Sequence, residues 1–307
     1  MNQETIKLFD NIIEQMALVY KHDSRPWMIG FSGGKDSTLL CQLTFEMLER
    51  LSPEERNKKV YIVTSDTMVE NPIVQNYMHR MKDAINQASL QKKLGVEAHI
   101  IYPAVKNRFW SAVIGLGYPT PEAPGFRWCT ERLKIIPSND FTYDVIKKDG
   151  EIVILLGVRK AESITRSRSI TSREIEGKIL TPHDTIKKAY VYSPLSEIKN
   201  EYVWEYLLKD DGMSAWGTDN NYLYGLYQGE DLGEEQSVIG EVNKDKVAIT
   251  GNSRFGCWCC TMVKEDKSLT NFIDHGAKEL EPLREYRNWL VEMRSNPDAR
   301  DYRRRNG

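Results

Sequence analysis

Pro26-Trp27-Met28-Ile29-Gly30-Phe31-Ser32-Gly33-Gly34-Lys35-Asp36-Ser37 is the stretch on which the fold of this chain turns. The apolar run up to Phe31 reads as a buried strand, and Leu39, Leu40, Leu43, Met47, Leu48 and Leu51 follow it at helical spacing. Between them, two glycines let the backbone turn sharply and bring several N–H groups towards one anion. The N-terminus of the following helix adds its partial positive charge. Ser32 and Ser37 offer hydroxyls, Lys35 a cation, and Asp36 a carboxylate suited to Mg2+. The P-loop pattern G-x-x-x-x-G-K-S/T is absent, so a phosphate held here is held by a different kind of loop.

The same alternation extends outward. Residues 4–20 predict an amphipathic helix, Val60–Val63 a second strand, and residues 72–94 a long helix opened by Pro72. Ala98–Tyr102, Glu151–Leu156 and Tyr190–Tyr192 predict three more strands. Strands alternating with helices imply right-handed crossovers and an α/β fold: an open, mostly parallel sheet with flanking helices. Ligands of such sheets bind beyond the carboxyl ends of the strands. Past residue 196 the character changes to a helix over 197–209, an irregular stretch over 211–252, a cysteine cluster and a charged helix over 277–294. The expected division is an α/β domain over 1–196 and a smaller irregular and helical C-terminal region over 197–307.

Composition bounds the function. Of 307 residues, 40% are hydrophobic and 28% charged, which excludes a mainly disordered chain. Lys and Arg total 42 against 44 Asp and Glu, which excludes a uniformly basic nucleic-acid wrapper but leaves room for a local basic surface. Five cysteines, three of them within residues 257–260, point to metal or sulfur chemistry in a reducing compartment rather than a disulfide framework. Met1-Asn2-Gln3-Glu4 lacks a basic start to a signal, and no apolar run approaches the ~20 residues of a membrane span, so the expectation is a cytoplasmic protein without a membrane partner. Arg303-Arg304-Arg305-Asn306-Gly307 stops without a capping signal, which suits a truncated form or a frayed terminus.

Three further segments carry chemistry. Ser65-Asp66-Thr67 follows the second strand, and reads either as a site element or as a polar strand-end turn. Residues 159–173 hold Arg159, Lys160, Arg166, Arg168 and Arg173 against Glu162 alone, a local positive patch of the kind that binds phosphate through planar guanidinium forks. Cys257-Trp258-Cys259-Cys260, with Cys129 far upstream, can chelate a metal or cluster, or carry redox or persulfide chemistry; spacing does not separate iron–sulfur from zinc. Cys41 among leucines reads as a packing residue, and the five histidines show no ligand spacing. Residues 284–307 carry seven arginines against four acids, either a DNA-phosphate surface or a solvated helix face.

Ser32–Ser37 resembles the S-G-G-x-D-S loop of the PP-loop ATP pyrophosphatases, whose fold is adenine nucleotide alpha hydrolase-like. The resemblance implies that Ser32, Gly33, Gly34, Lys35, Asp36 and Ser37 hold ATP with Mg2+, that Lys35 and Asp36 are catalytic, and that ATP breaks between its α- and β-phosphates. Asp66 and Thr67 match an Asp-Thr of the related sulfate reductases close to the nucleotide. Gly157-Val158-Arg159, Glu162-Ser163 and Arg166 resemble that group's G-x-R-x-x-E-S-x-x-R element; this implies Arg159 and Arg166 on phosphate, oriented by Glu162, with Gly157 at the nucleotide. Val69–Val74, Phe109–Pro119, Phe126–Lys134 and Arg254–Thr261 are similar to the DndC/SspD-type DNA phosphorothioation proteins, over most of the chain from about residue 10. That similarity implies adenylation of a DNA backbone phosphate, sulfur supplied by a cysteine desulfurase, and other phosphorothioation-system proteins as partners. It also implies an iron–sulfur cluster on four cysteines. Here Cys129, Cys257 and Cys260 fall at ligand positions, and only the extra Cys259 is left to supply a fourth. A three-cysteine cluster, zinc and a metal-free thiol pair stay open. The alternatives are a sulfonucleotide (APS/PAPS) reductase, against which stands the lack of any cysteine over 261–307, a tRNA thiolase, and a nucleotide-gated DNA-binding subunit.

Overall fold

In the computed structural model, residues 2–122, 126–162, 164–172, 175, 178–228 and 256–299 are described. Their strands are β1 (Trp27–Gly30), β2 (Val60–Ser65), β3 (Val96–Ile101), β4 (Ile152–Leu155), β5 (Thr181–Pro182) and β6 (Ala189–Tyr192). The first five helices are α1 (Gln3–Lys21), α2 (Lys35–Arg50), α3 (Pro72–Lys92), the single turn α4 (Trp128–Thr130) and α5 (Ile136–Asp149). The others are α6 (Ile164–Thr171), α7 (Asn200–Leu207), α8 (Asn220–Gln228), α9 (Lys267–Asp274) and α10 (Glu281–Ser295). The chain divides into two compact units, one formed by residues 1–66, 75–102 and 135–220, the other by 67–74, 103–134 and 221–307.

The first unit contains the sheet, ordered β3-β2-β1-β4-β6-β5. All neighbours run parallel except β5, which pairs antiparallel with β6 through two residues. The open, mostly parallel α/β sheet expected from the sequence is therefore present. Trp27 lies level with both Val60 and Val153, so β1 is interior. Its Trp-Met-Ile run is buried because a parallel sheet is covered on both faces. Helix α1 starts where Asn2 caps it, Oδ1 accepting from the Thr5 amide at 2.7 Å, and it buries Phe9, Ile12, Ile13, Met16 and Tyr20. On α5, Val145 with Phe141 and Ile146 packs onto Met28, Tyr61 and Ile154 of the sheet.

Several elements depart from the sequence reading, α6, α9 and the two-residue β5 among them. Helix α5 was not expected: Pro137 and a polar stretch obscure its apolar spacing, although proline suits the first turn of a helix. Residues 220–228 form α8 inside the stretch read as irregular; residues 229–255 lie outside the described ones. No helix among the described residues is long and apolar enough to cross a membrane.

The second unit packs Val69, Phe109, Ala112, Trp128, Leu133, Cys259 and Leu290 into one apolar cluster. Two short segments here, Ser111–Gly115 and Glu131–Ile135, are π-helical, with i→i+5 bonds that an ordinary helix lacks. Residues five apart on an α-helix are about 140° out of alignment, whereas a π-turn stacks i near i+5. Lys134 is thereby carried round towards the side of Cys129.

Candidate functional site

The first unit gathers the loop residues at the carboxyl end of β1. Gly33 takes φ +72°, the left-handed region glycine favours, and a Cβ there would sit 3.3 Å from Met78 Cγ of α3. The Ser32 amide donates to Ser37 Oγ at 3.3 Å, and Ser37 Oγ donates to the Gly34 carbonyl at 2.9 Å. Gly34 caps α2 with no side-chain hydrogen bond, so the first amides of this helix point out unblocked by any side-chain acceptor. Lys35, at the first position of α2, is mostly buried with its Nζ 3.6 Å from Asp36 Oδ2. A cation at the positive end of a helix is electrostatically out of place unless an anion joins it. Burial lowers the Lys35 pKa and the nearby Arg159 adds to that, while Asp36 opposes it.

Arg159, from the loop after β4, is buried, and the structure turns it inward. Its Nε donates to Asp36 Oδ1 at 2.7 Å, Nη1 to the Ile198 carbonyl at 3.2 Å and Nη2 to Asn200 Oδ1 at 3.2 Å. Asp36 and Arg159, 123 residues apart, thus hold each other, and both groups expected at Mg2+ or phosphate are engaged in an ion pair. The Arg159 amide donates to Glu162 Oε2 at 3.3 Å, so Glu162 reaches the backbone of the same loop. Gly157 lies against the loop: a Cβ there would sit 2.8 Å from the Asp36 carbonyl oxygen and 3.2 Å from the Ser37 nitrogen. Neither is the end of a flexible side chain. Gly157→Ala is expected to cost about 1–3 kcal/mol through overpacking and to weaken ATP binding about tenfold or more. Calorimetric titration reads this, and wild-type affinity would refute the close approach. Arg166 lies on α6, with its side chain outside the described residues.

Asp66 and Thr67 separate. Asp66, buried at the end of β2, accepts from Gln75 Nε2 at 2.8 Å and has His79 Nε2 at 3.6 Å, a neighbour that the sequence did not reveal because α3 supplies both. Thr67 belongs to the second unit, where its Oγ1 donates to Glu70 Oε1 at 2.9 Å and lies 3.3 Å from Cys257 Sγ. Lys134 Nζ is 3.4 Å from Glu70 Oε1. Glu70 and Lys134 were not singled out in the sequence; only the pairing of residue 70 with 257 shows their place.

The cysteines of this unit differ in setting. Cys259 is fully buried in the apolar cluster, and burial pushes its thiol well up. Cys257 is pushed up to about 12 by burial and then by the Glu70 carboxylate, with Lys134 opposing. Cys129 is raised, by burial first and Cys260 second. Buried Arg287 of α10 donates to the carbonyls of Cys260 at 2.9 Å and Lys264 at 2.8 Å, and to that of Val263, fixing the segment after the cysteines. Among the described residues no three His, Cys, Asp or Glu side chains are placed to hold a metal ion. As arranged, Cys129, Cys257, Cys259 and Cys260 do not fit one metal centre, and Cys259 faces the core. In the first unit, Cys41 is fully buried, as expected of a packing residue.

A strand, a glycine turn and a helix without a side-chain cap, at the carboxyl end of a parallel sheet, define an α/β protein with a PP-loop. The chain belongs to the phosphoadenosine phosphosulfate reductase domain family, whose model matches residues 26–263. Among curated proteins it is similar to Uncharacterized protein MJ0066 of Methanocaldococcus jannaschii, 28% identical over 200 residues, 65% of this chain and 35% of that protein. The chain therefore spans about a third of the curated relative it matches. Among solved structures, phosphoadenylyl-sulfate (PAPS) reductase from Candida auris in a phosphate complex is 12% identical, with a TM-score of 0.41, covering 73% of this chain and 93% of that one. U34-tRNA thiolase NcsA from Methanococcus maripaludis, solved with its 4Fe-4S cluster, is 15% identical, with a TM-score of 0.40, covering 74% of each chain.

Proposed function

We propose that this chain is an ATP pyrophosphatase that adenylates a DNA backbone phosphate for sulfur insertion. One observation carries the nucleotide part: the start of α2, without a side-chain cap, meets Lys35 and a glycine at positive φ, a concentration of donors and positive charge beside the Asp36 and Glu162 carboxylates. This loop fits a polyphosphate. Its donors and Lys35 would hold the pyrophosphate to be released, and Mg2+ would supply charge neutralisation there, with Arg159 positioning Asp36. A DNA phosphate oxygen attacks the α-phosphorus, its bond to the bridging oxygen breaks, and pyrophosphate leaves. The terminal sulfur of a persulfide, supplied by a cysteine desulfurase, then attacks the activated phosphorus and AMP leaves. Attack by a second thiol on the carrier sulfur releases the phosphorothioate and a disulfide.

Cys129, Cys257 and Cys260 are the thiols offered for this sulfur chemistry. An iron–sulfur cluster on them would require the three sulfur atoms to close on a common centre, and no step above passes through one. Other phosphorothioation-system proteins are the proposed partners. The proposed division of labour places nucleotide chemistry in residues 1–196 and sulfur chemistry in 197–307 with Cys129. The family description favours one second reading, a sulfonucleotide reductase. The test is ATP labelled at the α-phosphate, incubated with DNA, a cysteine desulfurase and labelled cysteine. Labelled AMP together with sulfur in nuclease-resistant DNA linkages is the expected result. Thioredoxin-dependent sulfite release from a sulfonucleotide, without AMP formed from ATP, would replace this reading with the second.

A further inference from the structure

Of the seven arginines over 284–307, Arg300, Arg303, Arg304 and Arg305 lie outside the described residues, and the described ones on α10 present little free positive charge. Of its described arginines, Arg287 is buried on backbone carbonyls, and Arg294 donates to the Thr261 carbonyl at 2.7 Å. The exposed side of α10 carries Glu281, Glu285 and Glu292 against Arg284. Among the described residues of the second unit, 103–134 carry Lys106, Arg108, Arg127, Arg132 and Lys134 against Glu122 and Glu131, with Lys134 paired to Glu70.

The structure brings these residues together. Arg132 lies over the Tyr118 ring at 4.8 Å, its Nη2 donates to Tyr118 Oη at 2.8 Å, and its Nη1 donates to Asn107 Oδ1 at 3.2 Å. Its guanidinium is thus held in place by neutral partners, and its charge is not offset by a carboxylate. Trp128 Nε1 donates to the Pro119 carbonyl at 3.0 Å, and Glu122 pairs with Phe126 through two backbone bonds, which brings Arg127 and Trp128 back to Pro119. Lys106 and Arg127 are exposed, and among the described residues neither has an acidic partner. The same segment carries exposed apolar side chains: Phe126 at 44%, Val105 at 65%, Ile114 at 75% and Leu116 at 51%. Cys129, partly buried, follows Arg127 by two residues and precedes Arg132 by three.

Unpaired cations set among exposed apolar and aromatic groups match the two faces of a single strand, whose phosphates take the charge and whose unstacked bases take the apolar surface. A duplex offers its phosphates but keeps its bases stacked inside. We infer that the 105–132 surface of the second unit binds single-stranded DNA, with Lys106, Arg127 and Arg132 on the phosphates and Phe126 under a base, so that the backbone passes the Cys129 thiol. This rests on the DNA reading above and gives that substrate its place on the chain.

Fluorescence anisotropy of a labelled single-stranded 20-mer with the full chain, without ATP or a sulfur donor, tests it. The Lys106→Glu/Arg127→Glu double variant is expected to bind about tenfold or more weakly. The slope of log affinity against log salt should also fall by about 1.4, at roughly 0.7 for each phosphate no longer neutralised. Arg284→Glu on α10 is expected to bind as wild type. Undiminished binding by the double variant overturns this surface while leaving the DNA reading intact, and an equal loss in Arg284→Glu moves the surface to α10. Tighter binding of duplex DNA, or of RNA of the same sequence, overturns the single-stranded DNA assignment. A wild-type chain that binds no oligonucleotide removes the DNA reading itself.

Discussion

Lys35→Ala is expected to lower pyrophosphate release from ATP by roughly 10²–10³-fold or more, the scale on which losing one preorganised charge partner of a transition state is felt. The reasoning runs through the electrostatics of the loop. Lys35 stands at the positive end of α2, mostly buried, with Arg159 close enough to lower its pKa further. Lys35, Arg159 and a helix N-terminus repel one another where only the Asp36 and Glu162 carboxylates stand between them, and a polyphosphate supplies the further anion that this end of the helix favours. Removing the ammonium relieves that repulsion and removes the stabilisation of the leaving pyrophosphate. A coupled pyrophosphate assay reads the loss, and release at the wild-type rate would remove the loop from the chemistry. The same variant should be no less stable than wild type, because in the absence of the anion its charge is a net burden.

Arg159→Met has the opposite signature, a loss of stability. Its guanidinium is buried and makes three directed hydrogen bonds, to Asp36, Ile198 and Asn200. Methionine fills similar volume but leaves the Asp36 carboxylate and two further acceptors without their donor. Breaking one side of a buried ion pair costs about 3–5 kcal/mol, which for a unit of this size lowers Tm by roughly 10 °C. An exposed pair would give about 0–1 kcal/mol, so thermal denaturation distinguishes the two. A change in Tm of under about 2 °C would show that the pair is not structural. Arg159→Lys should recover little, since a single ammonium cannot reproduce the planar fork that reaches all three acceptors.

The contrast between these residues shows what a sequence can carry. The loop was legible because strand, glycines and helix are contiguous, so their local spacing already defines the turn. The sheet was legible for the same reason: β1, β2 and β4 are unbroken apolar runs, as strands buried on both faces must be. The role of Arg159 was not legible. A basic run in a sequence gives charge without direction, and what turned Arg159 inward is a carboxylate 123 residues away. The surroundings of Cys257 were hidden likewise, since Thr67 meets it across 190 residues. In the basic stretch at 284–307 the count hid direction in the same way: Arg287 and Arg294 satisfy backbone carbonyls inside the unit, while Arg300, Arg303, Arg304 and Arg305 lie outside the described residues. Residues 103–134 drew notice for likeness rather than for charge, and their π-helical turns follow no period that a 3.6-residue pattern detects.

The Val69 carbonyl accepts from the Trp258 amide at 3.0 Å, and Glu70 bridges to Cys257. The segment that carries these groups, residues 67–74, leaves the ribosome long before its partner is made. Residues 103–134 offer Val69 and Glu70 their first native neighbours, Phe109, Trp128 and Lys134, but the pairing with 257–260 waits for those residues, and pairings of such sequence separation form late and slowly. The sheet-bearing unit, by contrast, has all its residues once the chain reaches 220. Synthesis therefore completes the sheet-bearing unit while Cys257, Cys259 and Cys260 are still to be made, so the Ser32–Ser37 loop can be in place before the second unit closes on its late segment.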